Sequence, residues 1–98
     1  MSEMRPRVLL SVQRALVGNI VPAIRAALVQ IDGNRATVRI VIDGPVSDQL
    51  LEMGSDIEAE MTADFLDSFT VSVTVERMDA PAPMPRDNCV WVFARRES

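Results

Sequence analysis

The side chains able to do chemistry in this chain are almost all carboxylates and guanidinium groups. Of its 98 residues, 14 are Asp or Glu, ten are cationic and none is His. Every cation is Arg, because Lys is absent from the sequence. Most familiar proton-transfer and covalent mechanisms need an imidazole or an amine, and neither is available. Cys89 and the serines Ser11, Ser47, Ser55, Ser68 and Ser72 therefore have no base to activate them. Glycine-rich phosphate loops, zinc-ligand spacings and dinucleotide fingerprints do not occur in the sequence either. These exclusions point away from an enzyme, and no cofactor is expected.

The densest pattern is an acidic series, Asp48, Glu52, Asp56, Glu60 and Asp64, each four residues after the last. No Arg falls between Arg39 and Arg77 to compensate it. On an α-helix such a series turns about 40° per step, so it winds along the surface rather than converging. Hard cations want ligands that meet at one point, and no metal site is expected. Like charges at this spacing repel by about 0.2–0.5 kcal/mol per pair, so the pattern costs some helix stability. The plain reading is a solvated helix face. The functional reading is a docking surface for a basic protein, with Asp48, Glu52, Asp56 and Glu60 speeding association and setting specificity. Asp64 has wound close to the apolar side and is expected to be partly buried. Glu58 and Glu60 lie about 200° apart and cannot form a carboxylate dyad. Asp43 and Asp79 end strands and are read as turn formers.

The element carrying this series is a helix within residues 46–66. Leu50, Met53, Ile57, Met61 and Phe65 recur at helical spacing and form its buried stripe. Ser47 is placed to cap it. A first helix is expected over Val8–Val17, stopped at Gly18-Asn19, with a short turn near Pro22. Asp32-Gly33-Asn34 is a hairpin turn. The strand after it alternates, with Ala36, Val38, Ile40 and Ile42 inward and Thr37 and Arg39 outward; Val41 breaks the polar face, so that end is expected to be covered. After a turn at Asp67-Ser68, Phe69, Val71, Val73 and Val75 face one way from a second alternating strand, and Thr70, Ser72, Thr74 and Glu76 the other. DAPAPMPRDN (residues 79–88) reads as a stiff extended connection, or as an apolar ridge around Met84. CVWVFARR is the last strand. It is expected to carry Trp91 and Phe93 on one face, Val90 and Val92 on the other, with both faces partly covered.

The order is αββαββ, and the expectation is a single α+β domain over residues 1–98. It is a two-layer sandwich of a four-stranded antiparallel sheet with two helices on one face. Two arrangements satisfy this. In one, two hairpins stand side by side; in the other, a permuted ferredoxin-like sheet puts the last strand in the middle, next to the second.

Composition bounds the partners. The formal net charge is −4, with 48% apolar and 24% charged residues. An acidic chain disfavours nucleic acid and anionic membrane surfaces and suits a basic protein. The four Phe and Trp residues are expected mainly in the core, which leaves no aromatic platform for base stacking. One cysteine, no membrane-length apolar run and no signal-like start lead to a cytoplasmic protein as the expectation.

The segments LLSVQRALVGNIVPAIRA, IDGPVSD, EAEMTADF, DAP and WVFARRE, which span most of the chain, resemble a group of small bacterial single-domain proteins. Some of these belong among the immunity proteins of toxin–immunity systems. The resemblance implies a cytoplasmic protein that binds and blocks a toxin, and it carries no binding residues with it. Together with the acidic series, it gives the expectation of a non-enzymatic binding module that meets a basic toxin. A self-associating homodimer, pairing through an outer sheet face or an edge strand, is the alternative. An enzyme would need a pocket joining Asp43, Asp64 and an arginine.

Overall fold

The computed structural model describes residues 4–65, 69–84 and 89–97. Its elements run α1 (Met4–Leu16), β1 (Ile24–Asp32), β2 (Arg35–Ile42), α2 (Asp48–Thr62), β3 (Thr70–Arg77) and β4 (Val90–Ala94). The expected element order holds. The turn at Asp67-Ser68 and the end of the proline-rich connection, residues 85–88, lie outside the described residues.

Gly18 ends α1 with φ +85°, and Asn19 closes it by donating from its backbone to Leu16 and from its side chain to Ala15. Val8, Val12, Ala15 and Leu16 are the buried stripe of this helix. The hairpin forms as the sequence requires: Asp32 pairs with Arg35 across Gly33-Asn34, and Gly33 has φ +61°. Its inward residues Ala36, Val38, Ile40 and Ile42 are all buried.

The sheet is mixed, in the order β3-β2-β1-β4, and this corrects the antiparallel expectation. β1 pairs antiparallel with β2 and with β4, but β3 runs parallel to β2. The reason lies in the connection between β2 and β3. A helix of 15 residues carries the chain back to the end where β2 began, and a strand entered from there must run the same way. β3 and β4 then occupy opposite edges, so there is no second hairpin. The permuted arrangement fails as well, because β4 sits at an edge and not beside β2. β1 is covered fully on both faces, with Ile24 to Val29 all buried, and β4 is partly covered on both, as expected.

Both helices lie on one face, over a core of α1 and α2 residues with Ala27, Val29, Val38, Ile40 and Ile42. Val71, Val73 and Val75 of β3 join this core, as their alternation predicts. α2 reaches β3 closely because of Gly54. A Cβ there would lie 3.0 Å from Val75 Cγ2. The opposite face is covered by the connection from β3 to β4. Met78 and Met84 pack with Cys89 and Trp91 against Ala26, Leu28 and Val41. Val41 is thus covered, as expected. The last strand departs from simple alternation. A register shift between Ala27–Phe93 and Leu28–Trp91 puts Trp91 on the connection side, while Val92 and Phe93 both pack toward the helices. A bulge moves every later side chain to the other face, and alternation alone cannot show it.

One buried charge fixes the connection. Arg25 is 2% exposed. It donates to both carboxylate oxygens of Glu97 (2.7 and 3.0 Å) and to the carbonyls of Met78 (2.6 Å) and Ala82 (3.0 Å). Arg95 donates to Glu97, to Asp43 and to the Pro22 carbonyl, so it is bound into the fold. Asp79 accepts from Arg77 and from the Gly44 N–H, which bears out its reading as a turn former.

The Arg25 guanidinium, opposed by burial and helped by Arg95, holds the Glu97 carboxyl at about 2, from its usual 4.5. A carboxylate depressed on folding stabilises the native state above its unfolded pKa; that contribution is lost as pH falls through the folded value. Stability is therefore expected to fall between about pH 4.5 and about pH 2. Glu97→Gln should lower the melting temperature at neutral pH and flatten its acid dependence. If the variant's melting temperature tracks the wild type's at every pH, the Arg25–Glu97 pair does not hold the connection.

Candidate functional site

The site begins with the capping of α2. Ser47, in an extended conformation, accepts through its hydroxyl from the Leu50 N–H at 3.2 Å, satisfying one of the free amides at the helix start. Met53, Ile57 and Met61 are buried, and Leu50 and Phe65 pack at the margins of the same core. With the stripe held down and Gly54 and Glu58 turned to β3, the outer side of the helix is presented to solvent. Asp48, Glu52, Asp56 and Glu60 are all exposed.

Among the described residues, none of these four carboxylates has an ion pair or a hydrogen bond. The ion-paired arginines go to other acids. Arg39 makes a two-pronged pair with Glu76 (3.0 and 2.8 Å), which holds Glu76 below its usual value. Arg77 pairs with Asp79, Arg95 with Asp43 and Glu97, and Arg25 with Glu97.

Asp64 lies just beyond the end of α2 and is exposed, which corrects the expectation of partial burial, but it differs from the other four in having partners. Its carboxylate accepts from Ser11 Oγ at 2.6 Å and from Arg14 at 2.9 Å, joining the end of α2 to α1. Arg7 lies over the Phe65 ring, 5.3 Å from its centre, and strengthens the same join. Glu58 reaches the other way and accepts from the Val73 N–H at 2.9 Å, which covers a donor on the free edge of β3. Glu58 and Glu60 thus have unrelated surroundings. Asp43 and Asp64 pair with different arginines, Arg95 and Arg14, and do not share a carboxylate–arginine centre. Among the described residues, no group of three or more Cys, Asp or Glu could hold a metal ion.

Sequence reasoning missed the apolar part of this layer. Among the described residues, six large apolar side chains are exposed: Leu10, Val17, Ile20, Val21, Val46 and Leu51. They lie on α1, on α2 and on the segments entering and leaving them. The signal was present. Leu10 stands about 120° or more from each of Val8, Val12, Ala15 and Leu16, so it cannot enter the core with them. The other sheet face, in contrast, has its apolar side chains under Met78, Met84 and Trp91. Trp91 is on that face, where no aromatic residue was expected.

Taken together, the elements form a small α+β protein with an anionic, partly apolar helical layer. The chain belongs to the MafI2 immunity protein family, whose model matches residues 5–97. This bears out the resemblance to proteins of toxin–immunity systems, and a toxin is the protein partner that membership implies. A comparison of the sequence with curated proteins returned no match. No helix among the described residues is long and apolar enough to cross a membrane.

Proposed function

We propose that this protein neutralises its toxin in the cytoplasm by laying the acidic outer face of α2 against a basic surface, with no catalysis of its own. The observation that supports this is the unequal distribution of counter-charges. Arginines pair with Asp43, Asp64, Glu76, Asp79 and Glu97, while Asp48, Glu52, Asp56 and Glu60 stand exposed without partners among the described residues. An unpaired, solvated series is a long-range attractor for positive charge and is not needed for the fold.

Carbodiimide labelling of carboxylates, read by mass spectrometry, tests the proposal. In complex with the toxin whose lethality the wild-type protein suppresses on co-expression, the four carboxylates should label more slowly. Asp32, exposed at the hairpin tip, should label as in the free protein. Equal labelling of the four in the free and bound protein removes the proposal.

A further inference from the structure

Where α1 turns into β1, the chain and the start of α2 enclose a groove of about 370 Å³ lined by Val21, Pro22, Gln49, Leu50 and Met53. That volume lies within the range of about 300–1,000 Å³ typical of concave ligand sites. Three features single it out. Its mouth is apolar and open: Val21 is 38% exposed, and Leu50 is half-buried across from it. Its walls are formed by fixed backbone, since Gly18 and Asn19 close α1 on one side and Ser47 caps α2 on the other. Its rim is anionic, because the residues three positions beyond Gln49 and Met53 are Glu52 and Asp56, which share that side of the helix and are exposed. Arg95 bonds the Pro22 carbonyl, but it is already paired with Asp43 and Glu97.

From this geometry we infer that the groove seats an apolar side chain of the toxin, flanked on the toxin by Arg or Lys that meets Glu52 or Asp56. Charge complementarity selects this occupant. An apolar side chain alone would fit any partner, whereas a cation beside it suits a groove edged by carboxylates. The inference rests on the proposed docking of the acidic helix and adds its anchor. The anchor resists dissociation, and the carboxylates speed encounter.

The test uses the full chain and the toxin whose lethality it suppresses on co-expression. Val21→Ser removes apolar wall, and Gln49→Trp fills the groove from the exposed side of α2. Both variants should raise the dissociation constant by about tenfold or more through faster dissociation, with the salt dependence of association unchanged. Circular dichroism confirms folding, and if Val21→Ser does not fold, Gln49→Trp carries the test. If both variants dissociate like the wild type while Glu52→Arg/Asp56→Arg is impaired, the anchor is overturned and the acidic docking stands. If that charge-reversed variant also binds normally, both are overturned. If sedimentation of the protein alone shows a dimer that Gln49→Trp disperses, the occupant is a second copy and the inference is overturned.

Discussion

Ile57→Ala is expected to destabilise the protein by about 2–5 kcal/mol, the range for emptying a filled site in a core. Ile57 is fully buried at the middle of the α2 stripe, between Met53 and Met61. Stabilities of small domains total about 5–15 kcal/mol, so this change removes a large share. Urea unfolding should show a lower midpoint with an unchanged slope. Leu51→Ala is the matched control. Leu51 is 51% exposed on the same helix, and its loss should cost within about 0.5 kcal/mol. Equal unfolding midpoints for the two variants would mean that α2 is not docked through this stripe. The functional consequence follows from geometry, since the acidic face is defined only while the opposite face is buried.

Glu52→Arg/Asp56→Arg is expected to slow association with the toxin by about 10–100-fold at low ionic strength, and to weaken or reverse its salt dependence. The fold should tolerate this change. Both side chains are exposed, and the repulsions with Asp48 and Glu60 become attractions of about 0.2–0.5 kcal/mol each. Stability at or slightly above wild type, with impaired binding, is the combination a docking surface predicts. A purely solvated face predicts unchanged association, and stopped-flow measurement at two salt concentrations distinguishes them.

The network around Arg25 has a different role. It holds the β3–β4 connection against the sheet by way of Met78, Ala82 and Glu97, on the side away from the helices. Changes there are expected to act on stability and its acid dependence. Changes on the outer face of α2 are expected to act on binding. The two-layer arrangement keeps these effects apart, because additive behaviour is usual for sites without shared partners.

Much of the local structure was determined by the sequence alone. The α2 stripe, the Ser47 cap, the Gly18-Asn19 stop, the Asp32–Arg35 hairpin and the inward valines of β3 all depend on residues a few positions apart. Periodicity and turn chemistry report such relations directly. Angular arithmetic on one helix also set Glu58 apart from Glu60. Only the tertiary structure decided the direction of β3, the edge position of β4 and the bulge that reverses Trp91. An alternating strand looks the same whichever way it runs and whichever neighbour it pairs with. Tertiary structure also decided which acid each arginine meets, since Arg25–Glu97 and Arg14–Asp64 join residues far apart in the chain. The apolar groove beside α2 belongs to the same category. Its walls come from two separate segments, and only packing of the helices over the sheet brings them together.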